Sequence, residues 1–394
     1  VNWLNKIHVG DAAPLLRAMA EDGVRAKVCV TSPPFYGLRS YLPDNHPDKA
    51  KEIGLDASLP AFIERVADVF DAVWEVLEKD GTLWVEMGDA YYSSGGTGMQ
   101  GKHGARNIRR HTQRNLIGNS ARRAGRHFKD MMGQPWRLAF ALQDRGWILR
   151  QEVIWEKPGA MPESTKDRPT TSHSHIFIFA KARHYYWDYD ALLEPVSPNT
   201  HLRVSQEVAR QRGSTRANGG TRPDRPMKAL LPAVCEAEGQ PRTRPKGVNP
   251  KAVAGWMYGP GSHEAVDHAR DAGRVTKFKA RPRANASMSE SISGPRLAWR
   301  NVRSVWRIPT EKFSGPHFAT FPPEIPRRAI LAGSRPGDVI LDPFTGSGAT
   351  FEAACQLGRQ FVGTELNAEY VKAAYQYRNF QLALPPVNQN RRSR

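Results

Sequence analysis

Over the first ninety residues, short apolar runs alternate with one clear helical pattern, the arrangement of a βα sheet protein. Ile7-His8-Val9 and Lys27-Val28-Cys29-Val30 read as strands. Between Ser58 and Gly81, Phe62, Val66, Val69, Phe70, Val73 and Leu77 recur at helical spacing, with Ser58 as N-cap and Gly81 as terminator. Residues 82–87 read as the next strand.

Residues 95–130 change to Gly, Ser, Asn and Arg with few apolar positions, which is loop composition. Regular patterning resumes with a helix over 135–145 and strands over 147–155 and 175–180. After about 190 the chain turns Pro- and Arg-rich with weak periodicity, until 302–306 restores a strand-like run. A last βα pair follows: Val339-Ile340-Leu341, a glycine turn, a helix to about Leu357, a strand over 360–363 and a helix capped by Asn367. No internal repeat is visible.

Length and charge refine this picture. At 394 residues the chain exceeds one ordinary hydrophobic core, so a large domain with an insertion, or two domains, is expected. No apolar run approaches the roughly 20 residues of a membrane span, and the N-terminal residues do not resemble a signal peptide, so the expected location is the cytoplasm. Cys29, Cys235 and Cys355 match neither zinc nor redox spacing and read as free thiols. A net charge of +18 is the footprint of a polyanion binder. Residues 101–130 hold nine Lys or Arg against one acid, and 201–300 hold 19 against 8.

The glycine turn Asp342-Pro343-Phe344-Thr345-Gly346-Ser347-Gly348-Ala349-Thr350 follows a strand and opens a helix, where an open α/β sheet binds nucleotides. Gly346 and Gly348 allow a sharp turn and close backbone approach to a ligand. A dinucleotide fingerprint would need glycine where Phe351 stands, and no Lys follows to make a phosphate loop. The pattern therefore favours an adenosine without a pyrophosphate. S-adenosylmethionine fits, with Asp342 on its cationic amino group and Glu365 on its ribose. His173 and His175 have no third ligand nearby, so no metal site is expected.

Val30-Thr31-Ser32-Pro33-Pro34-Phe35 resembles the signature of the beta-class amino-group DNA methyltransferases, in the Ser-Pro-Pro-aromatic form associated with cytosine N4. Gly10-Asp11, Gly88-Asp89, Trp155-Glu156-Lys157-Pro158, His317-Phe318-Ala319-Thr320-Phe321-Pro322 and Gly363-Thr364-Glu365 are similar to that family as well. The resemblance implies a circularly permuted Rossmann-like S-adenosylmethionine-dependent methyltransferase sheet of seven mostly parallel strands, with an inserted target-recognition region. The catalytic half would span 1–190, the recognition region 191–299, the cofactor half 300–384 and a basic tail 385–394.

The resemblance further assigns Ser32 and the Pro33 carbonyl to the target amine, Pro34 to loop stiffness and Phe35 to stacking on a flipped base. It places Asp11, Phe318, Thr320, Pro322, Phe344 and Thr350 around the cofactor, beside Asp342, Gly346, Gly348 and Glu365. For Asp11 a turn-capping carboxylate is the competing reading, and for Phe318 plain packing. Arg106, Arg109, Arg110, Arg114, Arg122 and Arg123 are expected to meet the phosphates of double-stranded DNA, a solvated surface being the alternative. Adenine N6 is the rival target. An RNA methyltransferase and an inactive DNA-binding protein rank lower. A cysteine nucleophile is disfavoured, because Cys29 lies in an apolar strand with no adjacent proline.

Overall fold

A computed structural model of the chain describes residues 2–38, 40–92, 126–160, 162–195, 299–311 and 322–380. Its elements in order are β1 (Lys6–Val9), α1 (Ala12–Glu21), β2 (Ala26–Thr31), α2 (Leu59–Val76), β3 (Leu77–Met87), α3 (Gln134–Asp144), β4 (Ile148–Glu156) and β5 (His173–Ala180). There follow β6 (Glu194–Pro195), β7 (Trp299–Arg300), β8 (Val305–Arg307), α4 (Glu324–Gly333), β9 (Val339–Asp342), α5 (Ala349–Gln356), β10 (Gln360–Glu365) and α6 (Ala368–Tyr377).

The chain divides into two compact units, 1–192 with 303–394 and 193–302. In the first, eight strands form one sheet in the order β1-β10-β9-β2-β3-β5-β4-β8. Only β5 runs antiparallel to its neighbours, β3 and β4. The C-terminal strands β9 and β10 thus insert between β1 and β2, so the last part of the chain completes the centre of a sheet that the first part begins. Eight strands replace the expected seven because Val305–Arg307 adds in parallel to the edge of β4. In the second unit the described residues form a two-stranded antiparallel ladder of β6 and β7, with Arg300 paired to Glu194.

β2 is buried at every position and β3 at its last seven, which is why both read as mainly apolar runs, interrupted at Lys27, Thr31, Thr82 and Glu86. The helix after Ser58 keeps its expected start, where the Ser58 side chain accepts the Ala61 N–H at 3.3 Å. Its end differs from expectation: α2 stops at Val76 and β3 begins at Leu77, leaving Gly81 inside a strand. A Cβ at Gly81 would lie 2.8 Å from the Lys27 carbonyl, so this glycine serves the approach of β2 and not helix termination. Lys181 Nζ caps the end of α2, donating to the Trp74 and Leu77 carbonyls at 2.6 and 2.8 Å. Among the described residues no helix is long and apolar enough to cross a membrane.

Candidate active site

Strands β1, β10, β9, β2 and β3 are mutually parallel, so their carboxyl ends open on one edge of the sheet and the loops leaving them converge there. The loop after β2 is Ser32-Pro33-Pro34-Phe35. Pairing of Thr31 with Val85 brings Ser32 beside Glu86, and the Ser32 hydroxyl donates to Glu86 Oε2 at 2.7 Å. Glu86 is buried within the otherwise apolar end of β3. With its proton directed to a carboxylate, Ser32 Oγ keeps its lone pairs for a donor arriving from the open side.

Two consecutive prolines fix the backbone beyond Ser32. Phe35 packs over Gly88, where an added Cβ would fall 3.0 Å from the ring. The exit of the loop is anchored by the Tyr36 N–H, which donates to Gln134 Oε1 at 3.0 Å. Asp89 in turn caps the start of α3, accepting the Gly133 and Gln134 N–H groups at 3.0 and 3.2 Å.

An open cavity lies between this loop and the glycine turn. Of the anticipated site residues, Asp11, Ser32, Pro33, Pro34, Phe35, Phe344, Gly346 and Glu365 line it. Asp11 occupies the N-cap position of α1 without making a side-chain cap, which leaves its carboxylate available to the cavity. Glu365 accepts the Gly346 N–H on one oxygen and the Asn367 N–H on the other, both at 2.9 Å. Burial raises its pKa against those hydrogen bonds.

Four of the anticipated cofactor residues do not line the cavity. Asp342 is fully buried behind the wall and does not line the cavity. Its oxygens accept the Thr31 and Thr350 hydroxyls at 2.6 and 2.7 Å and the Phe344 N–H at 3.0 Å, so it has no free face for a ligand amine. Burial pushes its pKa up to about 7, opposed by these donors. Thr350 is likewise buried, facing Asp342. Gly348 does have a left-handed φ of 80°, but a Cβ there would strike Phe380 at 2.7 Å, so its smallness serves packing against the segment after α6. Pro322 is buried at the start of α4 and does not line the cavity. Phe318, Thr320 and the six loop arginines lie outside the described residues.

The structure adds residues that sequence reasoning missed. Leu38, Tyr41, Ile53, Leu366 and Tyr370 complete the cavity wall. Tyr41 and Tyr370 meet edge to face, ring centroids 6.5 Å apart, and Asn367 Nδ2 donates to the Tyr41 carbonyl at 2.8 Å. Buried Glu52 accepts from the Tyr41 N–H and from Lys49 Nζ, which holds this segment in place. Glu86 did carry a signal, a lone acid in a strand-like apolar run. The aromatic wall carried none, because it joins residues more than 300 positions apart. Cys29 is fully buried with its thiol pKa raised by desolvation, an inert packing residue. Among the described residues no cluster of His, Cys, Asp and Glu is arranged to hold a metal.

Residues 26–376 match the family described as DNA methylase, of the N6/N4 type. The chain is 33% identical over 365 residues to the type II methyltransferase M.Cfr9I of Citrobacter freundii, covering 93% of this chain and 84% of that protein. It is 34% identical over 366 residues to M.XycI of Xanthomonas campestris pv. cyanopsidis, with the same coverage. The solved PvuII DNA methyltransferase, described as cytosine-N4-specific, is similar with 14% identity and a TM-score of 0.48, over 95% of this chain and 88% of that one. The family match spans both the loop after β2 and the glycine turn, and the chain therefore belongs to the N6/N4 DNA methylase family.

Proposed function

We propose that this enzyme transfers a methyl group to the exocyclic N4 amine of cytosine in duplex DNA, acting on a base turned out of the helix. The observation that carries this reading is the Ser32–Glu86 pair at the head of a Ser-Pro-Pro-Phe loop, opening on a cavity shared with the glycine turn.

The methyl donor of the family is S-adenosylmethionine, and the cavity suits it. Three carboxylates line the cavity, of which Glu52 is engaged by Lys49 and the Tyr41 N–H, and the one cation of the lining, Lys51, is paired with Asp48 at 2.6 Å. Such a surface favours a neutral base, a ribose diol and a cationic ligand over a pyrophosphate. Backbone N–H groups hold both oxygens of Glu365 in place at the cavity wall, where the carboxylate can accept the ribose hydroxyls. Phe344, Leu366, Tyr41 and Tyr370 offer apolar faces for adenine. When bound, the donor supplies a methyl group already activated on a sulfonium.

An aromatic amine is a weak nucleophile because its lone pair is delocalised into the ring. Ser32 Oγ and the Pro33 carbonyl accept its two hydrogens, which draws the nitrogen toward tetrahedral geometry and localises that lone pair. Phe35 stacks on the base and offsets part of its few-kcal/mol unstacking cost. As the nitrogen bonds to the methyl carbon and the sulfur–carbon bond breaks, a proton must leave the amine. Ser32 Oγ takes it while passing its own proton to Glu86 Oε2, the acceptor it already faces.

The arginines after Gly95 are assigned to DNA phosphates and the basic region 191–299 to target recognition. The roots of the arginine loop support the first assignment. Tyr91 and Met131 pair across its base just beyond Gly88, beside Phe35. Similarity to type II methyltransferases supports a place in a restriction-modification pair. A second reading, adenine N6, draws on 41% identity over 73 residues to the DNA adenine methyltransferase YhdJ of Escherichia coli (strain K12). Incubating the enzyme with labelled S-adenosylmethionine and plasmid DNA, then digesting to nucleosides for mass spectrometry, separates the two. N4-methylcytosine is expected, and N6-methyladenine overturns the reading.

A further inference from the structure

The two halves of the reaction centre come from opposite ends of the chain and meet through one buried side chain. Asp342 ends β9, whose Leu341 pairs with Cys29 of β2, so its carboxylate emerges level with the last turn of backbone before the catalytic loop. Its three donors belong to three different pieces of the site. Thr31 ends β2 and immediately precedes Ser32, Phe344 belongs to the glycine turn and lines the cavity, and Thr350 lies in the first turn of α5 behind Gly346 and Ser347. Thr31, Thr350 and Asp342 are all completely buried. The Thr350 hydroxyl is also 3.4 Å from the Val30 carbonyl, so α5 leans on the same end of β2.

We infer that Asp342 is a positioning residue that fixes the separation and alignment of methyl donor and methyl acceptor, acting on the acceptor side through Thr31 and on the donor side through Phe344 and Thr350. This rests on the reading of Ser32 as the amine-binding residue and not on the identity of the base. An apolar pair could hold β2 against β9 equally firmly, and a buried carboxylate is costly unless its donors are well placed. What the carboxylate adds is direction. Its acceptor geometry ties the Thr31 hydroxyl, the turn backbone and the helix start to one rigid group, while Glu86 holds the neighbouring Ser32 from the other side of β2. In-line transfer needs this rigidity, since a misplacement near 1 Å costs on the order of 10²-fold in rate.

The test separates alignment from binding and from folding. Thr31→Val keeps the shape and removes the hydroxyl, Thr31→Ser keeps the hydroxyl, and Thr350→Val cuts the donor-side tie. For each, single-turnover methyl transfer, calorimetric Kd for S-adenosylmethionine and melting temperature are measured on the full chain. Thr31→Val is expected to slow transfer by about 10- to 100-fold with Kd changed less than about twofold, and Thr31→Ser to restore most of the rate. Thr350→Val is expected to weaken cofactor affinity more than it slows transfer from the saturated complex. Wild-type transfer rate in Thr31→Val, or a loss that Thr31→Ser does not restore, overturns the inference. So does a loss carried by Kd alone. If the methylated nucleoside is N6-methyladenine, the cytosine reading fails while these ratios still decide the part played by Asp342.

Discussion

The Ser32–Phe35 loop and the glycine turn leave neighbouring strands and face one cavity, yet they are held by different physics. The loop is stiffened mainly by covalent restraint and packing: Pro33 and Pro34 restrict its backbone, Phe35 lies over Gly88, and Ser32 is held by one hydrogen bond to Glu86. The turn is shaped by hydrogen bonds from backbone and hydroxyl donors to two carboxylates, the buried Asp342 and the half-buried Glu365, whose pKa values desolvation raises. A methyl acceptor must be gripped in one orientation, which suits a stiff loop. A cationic donor must be admitted and released, which suits a turn organised around acids. The difference also means that the turn should respond to pH and to loss of charge, and the loop to loss of single atoms.

Ser32→Ala is the sharpest test of the loop. With Ser32 on the amine as proposed, it should lower methyl transfer by about 10²-fold or more while leaving calorimetric affinity for S-adenosylmethionine unchanged. Full activity would remove it from that position. On the turn, Gly348→Ala forces a left-handed residue and a Cβ into Phe380, and should destabilise the fold by about 2–3 kcal/mol in denaturant unfolding. An undiminished unfolding midpoint would show that Phe380 moves aside at little cost. Glu365→Gln should weaken the cofactor about tenfold with a smaller effect on transfer from the saturated complex, since one charged acceptor is lost. Equal loss in both would place Glu365 in the chemistry and not in binding.

The pH response follows from sign. The Asp342 pKa is raised from 3.8 to about 7, so its contribution to stability is fully present below 3.8 and is lost as pH rises through about 7. Melting curves of wild type and Asp342→Asn should therefore diverge across that window, the wild type losing ground at the higher pH. A constant difference would argue against a titrating Asp342. The smallest effect is expected from the basic loop. Reversing Arg109 and Arg110 together should reduce the slope of log affinity for DNA against log salt by about 2, and an unaltered slope would return these residues to a solvated surface.

Local chemistry was legible without coordinates. Proline and glycine constrain backbone wherever they stand, so Ser32-Pro33-Pro34-Phe35 and the Gly346 turn announced themselves, and the apolar runs of β2, β3 and β9 followed from burial on both faces of a central sheet. Ser58 as a helix start is equally local, because a cap acts within three residues. The sequence by itself thus determined where the proline loop and the glycine turn fall and what kind of sheet carries them.

Only the tertiary structure decided what those residues touch. Asp342 stands in the turn like a ligand-binding acid, but the arrival of β2 alongside β9 covers it and makes it a tie between the two halves. Glu86 became the partner of Ser32 through the register of β2 on β3, and Gly348 a packing residue through the return of Phe380. Tyr41 met Tyr370 across most of the chain's length. Burial and hydrogen-bond partners depend on which distant strand or helix lands beside a residue, and one position of register changes them all.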